Sequence, residues 1–197
     1  CLQAGIVYLP LNTAYMAHEL EYFVENSGAK VLICDVAKSG VLNPLAMRLG
    51  IVLSTLDRGG EGLLQKLAEN ASDHFAPVER GPDDLAAILY TSGTTGRSKG
   101  AMISHNNLLS NARSLKDSWC FSEEDVLLHA LPVFHTHGLF VATNIMLLAG
   151  GAMIFLEKFD LDAIFAHLPR ATTMMGVPTF YTRLLSDARL TKACCAH

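Results

Sequence analysis

The run Leu85-Ala86-Ala87-Ile88-Leu89-Tyr90 opens without a break into Thr91-Ser92-Gly93-Thr94-Thr95-Gly96-Arg97-Ser98-Lys99-Gly100. An unbroken apolar run has no polar face, which is the pattern of a parallel strand covered on both sides. The residues behind it are chosen differently. Gly93, Gly96 and Gly100 allow positive φ and a close approach of backbone to a ligand. Thr91, Ser92, Thr94 and Thr95 supply hydroxyls, and the turning N–H groups form a nest for anionic oxygens. Lys99 adds a point charge. A buried strand delivering such a loop calls for an α/β frame, and the loop chemistry suits a triphosphate.

Two other motifs overlap this loop and fail on spacing. A Walker A loop needs G-x-x-x-x-G-K-[ST], whereas Gly93 and Gly96 are too close and Gly100 follows Lys99. Gly96-Arg97-Ser98-Lys99-Gly100 matches G-x-S-x-G, but Thr91 to Arg97 separate Ser98 from the strand end, where a nucleophile elbow would seat its serine.

The rest of the chain repeats the strand–helix alternation. Helices are expected over Ala17–Asn26, with Leu20, Phe23 and Val24 inward, over Glu61–Asn70, with Leu63, Leu64 and Leu67 inward, and over His105–Trp119, with a stripe of Leu108, Ala112, Leu115 and Trp119. Further helices are expected from about Gly138, over Leu161–Leu168, and over Thr179–Ser186 behind Pro178. Strands are expected at Lys30–Cys34, Ile51–Leu53, Ala101–Ile103, Val126–Ala130, Ala152–Leu156 and Thr172–Gly176. The stretch Asn70–Asp84, with Pro77, Gly81 and Pro82, reads as a loop. The predicted fold is α/β, a mainly parallel sheet with helices on both faces.

Composition narrows the function. With 50% hydrophobic and 17% charged residues in 197, the chain has the apolar content for a packed domain and is not disordered. A net charge of −4 argues against nucleic-acid binding. Five cysteines without a CxxC pair suggest neither a zinc knuckle nor a disulfide framework, and a reducing cytoplasm is expected. Leu139–Leu156 carries no charge, yet Thr143, Asn144 and Gly150-Gly151 divide it into a helix, a turn and a strand, so no membrane span is expected. The first residues lack a signal-peptide pattern. A start at Cys1 and an uncapped end at His197 are expected of a segment cut from a longer chain.

Two further segments carry candidate chemistry. In Leu131-Pro132-Val133-Phe134-His135-Thr136-His137-Gly138, a strand end leads to two histidines. They read as two metal ligands lacking a third at metal spacing, as caps of the next helix, or as lining of a site at the strand's C-terminal end, where open α/β sheets bind ligands. In Gly176-Val177-Pro178-Thr179-Phe180-Tyr181-Thr182-Arg183-Leu184-Leu185, Arg183 lies either toward a pocket, where it wants an anion, or on the solvent face. The other histidines, His18, His74, His105, His129, His167 and His197, read as surface or core polar groups.

The decapeptide at Thr91–Gly100 resembles the phosphate-loop signature of the adenylate-forming acyl-CoA synthetases, T-S-G-T-T-G-x-P-K-G, with Ser98 in place of Pro. That departure is expected to loosen the loop without removing a ligand. Tyr8-Leu9-Pro10-Leu11-Asn12 looks like the family's opening strand and loop, and the resemblance spans nearly the whole chain, most weakly over Val36–Glu79. It implies part of an N-terminal AMP-binding domain at 1–197, with the C-terminal domain absent. It also implies that Thr91, Ser92, Gly93, Thr94, Thr95, Gly96 and Lys99 hold ATP, that His135 gates the path from nucleotide to acyl pocket, and that His137 lines that pocket.

His135 to Phe140 together with Pro178 to Leu185 closely resemble malonyl-CoA synthetases, whose second carboxylate would suit Arg183 and His137. The implied reaction takes ATP, with Mg²⁺, malonate and coenzyme A to malonyl-CoA, AMP and pyrophosphate through malonyl-AMP. The sequence holds no Tyr-Gly-x-Thr-Glu element and no ribose-binding Gly-Asp element, and neither Glu79 nor Glu157 sits in such a motif. The segment alone is therefore expected to be inactive and, with sheet edges unpaired, prone to aggregate. Two alternatives stay open, a ligase for another short-chain or aryl carboxylate and a non-catalytic nucleotide-binding remnant.

Overall fold

The computed structural model describes residues 1–91 and 97–195. They form two compact units, Cys1–Glu79 with Tyr90–Ala101, and Arg80–Leu89 with Met102–His197.

In the first unit, α1 (Ala17–Ser27) buries Leu20, Phe23 and Val24 as the periodicity predicts and stops at Gly28, where φ is 67°. β1 (Val31–Cys34) pairs in parallel with β2 (Val52–Thr55), from Val31 opposite Val52 to Cys34 opposite Thr55. Between them lies α2 (Ser39–Leu49), a helix the sequence reading does not anticipate, with Pro44 inside it. An interior proline costs about 3 kcal/mol. Leu42 and Leu45, 3% and 4% exposed, bury against α1 and contribute about 1.5–3 kcal/mol each, which offsets the proline.

The last helix of this unit, α3 (Leu63–Glu69), corrects the expectation of three inward leucines: Leu63 and Leu67 are exposed. None of its residues is fully buried, and the helix is tied at its start, where the Leu63 N–H donates to Thr55 Oγ1 at 3.0 Å.

The strands flanking the phosphate loop, β3 (Leu85–Thr91) and β4 (Lys99–Ser104), form a two-stranded sheet. Ala86 and Ala87 are both fully buried, and since successive side chains point to opposite faces, both faces of β3 are covered.

The second unit is built on a three-stranded parallel sheet. β5 (Val126–His129) lies between β6 (Ala152–Phe155) and β7 (Thr173–Met175), with His129 opposite Phe155 on one side and Met175 on the other. Its two faces feed two cores. Leu127 packs with Ile145 and Met146 of α5 (Thr143–Ala149), while Leu128 packs with Ile164 of α6 (Leu161–His167) and Leu184 of α7 (Pro178–Leu185). Helices therefore cover both faces, as expected of this class.

Two expectations change here. α4 (His105–Ser118) starts at a reciprocal Ser104–Asn107 capping box, but Ala112 is its sole buried residue and Trp119 stands half exposed past its end. The helix expected from about Gly138 begins as a π-helical turn, His137–Ala142, before continuing as α5. The uncharged stretch does divide, into that turn, α5, the cap Gly150 at φ 79° and β6. Among the described residues no helix is long and apolar enough to cross a membrane.

Candidate functional site

The phosphate-loop residues Ser92, Gly93, Thr94, Thr95 and Gly96 lie outside the described residues. Their stems do not. Thr91 ends β3 and Lys99 begins β4, both exposed. An aromatic patch on α1 holds the backbone on either side. The Tyr90 hydroxyl donates to Asn26 Oδ1 at 2.6 Å, and the Tyr90 ring lies 4.6 Å from Phe23. On the far stem, the Tyr22 hydroxyl donates to the Ser98 carbonyl at 2.7 Å, and the Arg97 guanidinium sits 5.4 Å from the Tyr22 ring centroid.

Partial burial, and after it the neighbouring Tyr22, raise the Tyr90 pKa, so its hydroxyl stays a donor. The Tyr22 bond restrains the backbone at Ser98, the position where the resembled motif has proline. Tyr22 and Asn26 were not anticipated; their one sequence signal is an i, i+4 polar pair beside the buried Phe23. Lys99 has no carboxylate partner among the described residues, which leaves its charge available to a ligand.

In the second unit, two expected segments leave the C-terminal ends of neighbouring parallel strands. β5 runs out through Leu131-Pro132 to His135, which is exposed, and His137, half-buried at the first position of the π-turn. Phe134 and His135 lie with ring centroids 4.5 Å apart. The metal reading of the two histidines finds no third ligand, since no cluster of three His, Cys, Asp or Glu suited to a metal exists among the described residues.

β7 runs out through Gly176-Val177-Pro178 into α7. Leu184 of α7 is buried, while Arg183 is exposed and makes no ion pair among the described residues. Its guanidinium lies 4.8 Å from the Phe159 ring centroid, and Phe159 in turn stacks on Phe180 at 4.0 Å. The aromatic pair gives an otherwise free cation a fixed seat at the sheet end where α/β proteins bind ligands.

Under the histidine turn sits His129, 1% exposed at the end of β5. Its Nε2 lies 2.8 Å from the Gly138 carbonyl, and the Thr143 hydroxyl donates to the same oxygen at 2.9 Å. Burial lowers the His129 pKa, against the opposing effect of the Gly138 bond, so the ring is neutral near pH 7. The reading of His129 as a core polar group holds, but its partner was not legible.

Gly138 itself has no room to spare: a Cβ there would stand 2.4 Å from the Pro132 carbonyl oxygen. Gly138→Ala is expected to destabilise the protein by about 1–3 kcal/mol through overpacking, read as a lowered urea midpoint with an unchanged slope.

A cavity of about 360 Å³, lined by Trp119, Phe121, Asp125, Thr172 and Met175, opens at the other end of the sheet, where β5 and β7 begin. Its polar groups serve each other: the Thr172 hydroxyl donates to Asp125 Oδ1 at 2.8 Å and accepts from the Val126 N–H at 2.9 Å. It is not the site that the strand ends define.

The family of AMP-binding enzymes matches residues 1–196 of the chain. Among curated proteins, the mitochondrial malonate–CoA ligase ACSF3 of Mus musculus is 34% identical over 188 residues, covering 92% of this chain and 32% of its own length. Among solved structures, ATP-bound MatB from Rhodopseudomonas palustris superposes with a TM-score of 0.95 at 57% identity, covering 99% of this chain and 39% of that one. A malonyl-CoA ligase in a ternary product complex with methylmalonyl-CoA and AMP superposes with a TM-score of 0.75 at 29% identity, covering 95% and 39%. The chain thus spans about a third of the mouse relative's length.

Proposed function

The chain belongs to the AMP-binding enzyme family, and from that premise we propose that it is part of the N-terminal domain of a malonate–CoA ligase. One observation carries the choice of acid: Arg183, a cation seated on Phe159 at the C-terminal end of a parallel sheet, with no protein anion to satisfy it among the described residues. A guanidinium so placed suits the second carboxylate of malonate, and a monocarboxylate would leave it unpaired.

In the first half-reaction, one malonate carboxylate oxygen attacks the α-phosphorus of ATP, a P–O bond forms, and pyrophosphate leaves with the electrons of the bond broken. The protein's part is positioning and charge stabilisation. The loop N–H groups and hydroxyls from Thr91 to Thr95 and the Lys99 ammonium meet the phosphates, while Arg183 and His137 hold the far carboxylate. In the second half-reaction the coenzyme A thiol gives up its proton to solvent, its sulfur attacks the malonyl carbonyl to form the C–S bond, and AMP leaves with the electrons of the acyl C–O bond broken. His135, exposed on the turn after β5, would gate the route between the two reactants.

Mg²⁺ would enter with the nucleotide as MgATP and would neutralise charge on the phosphates, and no step here is routed through it. Residues that hold adenine, Mg²⁺ and the ribose, and the C-terminal lysine that completes adenylation, would come from the remainder of a longer protein, so residues 1–197 alone should not turn over. A cytoplasmic address is part of this proposal, supported by five free thiols, although the mouse relative is named as mitochondrial.

The test is acid-dependent ATP–pyrophosphate exchange by the full-length protein that carries this chain. Exchange is expected with malonate and not with acetate. Exchange with acetate or an aryl acid alone would overturn the dicarboxylate reading and keep the ligase. ATP binding without exchange on any acid would make the protein a non-catalytic nucleotide binder.

A further inference from the structure

We infer that His129 is a positioning residue for the acid-binding turn: its Nε2–H clamps the Gly138 carbonyl and thereby fixes the direction in which His135 and His137 leave the sheet. The inference rests on the reading of those two histidines as part of the acyl site.

The position is an unusual one for a histidine. β5 is the central strand, and Leu127, Leu128, Ala130 and Leu131 around His129 are all buried. A leucine would fill such a place without any need for a partner, whereas a buried polar group left unpaired costs several kilocalories per mole. The ring stacks on Phe155 at 4.3 Å and 16°, which fixes its plane. A carbonyl oxygen can only accept, so Nε2 carries the proton and donates to Gly138. Nδ1 has no hydrogen-bond partner among the described residues, so the ring's polar contact is concentrated on that one carbonyl.

The carbonyl it holds belongs to the second residue of the π-turn His137–Ala142. A π-turn is a rare geometry that recurs at functional sites, and contacts from outside the turn brace this one. Here three converge. Nε2 of His129 and Oγ1 of Thr143, 3.5 Å apart, take the Gly138 oxygen from two directions. From a third, the Gly138 α-carbon seats so closely on the Pro132 carbonyl that no side chain would fit. The Gly138–Leu139 peptide, one residue beyond His137, is therefore held at its carbonyl by His129 on the strand below and by Thr143, and at its N–H by the His135 carbonyl, which accepts from Leu139 at 3.0 Å. His129 touches no substrate in this arrangement; its effect passes through backbone.

Three variants of the full-length protein test this. His129→Leu keeps the bulk and removes the donor. His129→Gln keeps a donor near the Nε2 position. Thr143→Val removes only the second donor, and serves if His129→Leu does not fold. We expect His129→Leu to raise KM for malonate about ten- to a hundredfold, the scale of a small misplacement in a binding site, while KM for ATP stays within about twofold. His129→Gln should recover most of that loss, and Thr143→Val should move malonate KM the same way by a smaller factor. Amide hydrogen exchange should quicken over residues 138–143 in His129→Leu and Thr143→Val, and return toward normal in His129→Gln.

Equal impairment of the Leu and Gln variants, or a rise in both KM values together, would reduce His129 to a packing residue and overturn the inference. Unchanged exchange over 138–143 would overturn it too. If the wild-type protein activates another acid in place of malonate, the functional reading falls; the KM split is then read on that acid, and the exchange experiment still decides the clamp.

Discussion

Replacing Arg183 with alanine is expected to abolish most malonate-dependent pyrophosphate exchange while leaving ATP binding intact. Bound malonate would cover the exposed guanidinium, and removing one partner of a charge pair desolvated in that way costs about 2–5 kcal/mol, or roughly thirty- to several-thousandfold in kcat/KM for malonate. The loss should fall on malonate and not on the nucleotide, because the role proposed for Arg183 is to pair the far carboxylate of the acid, a group that makes no bond to ATP in either half-reaction. Arg183→Lys should recover only part of the loss, since an ammonium cannot pair a carboxylate through two parallel bonds. A site built around an acid's charged group discriminates strongly against analogues that lack it, so the alanine variant should also narrow the gap between malonate and acetate. Malonate kinetics unchanged within twofold in Arg183→Ala would remove Arg183 from the acid site and, with it, the main support for a dicarboxylate substrate.

The residues that let this experiment be framed were legible for a simple reason: their signals are local. The apolar run Leu85–Tyr90 announces a strand covered on both faces, and Ala86 and Ala87 are both fully buried. The Gly-Val-Pro sequence before α7 announces a strand end and a helix start, and the helix begins at Pro178. What was not legible depends on partners distant in sequence. Pro44 and Gly40 disguised α2, whose stability comes from Leu42 and Leu45 meeting α1. The spacing of the leucines of α3 promised a buried face, yet Leu63 and Leu67 stand exposed, because whether a face is covered depends on what packs there and not on its period. Nothing between Val126 and Thr143 announces that a histidine will hold a carbonyl nine residues further on, or that the turn between them will be π-helical. Nor does the glycine-rich loop reveal that Tyr22, 76 residues before Ser98, will tie down its far stem. Periodicity reports which face is buried; it carries no information on which polar atom meets which.

Lys99→Ala bears on the other half of the site, and the sign of its effect follows from where charge develops. As pyrophosphate departs, negative charge accumulates on the oxygens leaving with it, and a fixed cation stabilises that state more than it stabilises bound ATP. Losing one such group typically costs about a hundred- to a thousandfold in kcat. The pyrophosphate-exchange rate should therefore fall by about that factor in Lys99→Ala, with ATP affinity reduced less and malonate affinity unchanged.

Lys99→Arg distinguishes charge from geometry. Lys99 is the first residue of β4, and the backbone just before it is held by Tyr22 through Ser98, so the ammonium reaches from an anchored stem. A longer, planar guanidinium on the same stem keeps the charge and shifts its position. Substantial recovery in Lys99→Arg would mean that net charge near the loop suffices. Failure to recover would mean that the ammonium acts at a defined distance set by the Tyr22–Ser98 tether, and Tyr22→Phe, which removes that hydroxyl alone, should then reproduce a weaker version of the same defect. Equal losses of malonate affinity and exchange rate in Lys99→Ala would contradict the assignment, because they would put Lys99 on the acid and not on the phosphates.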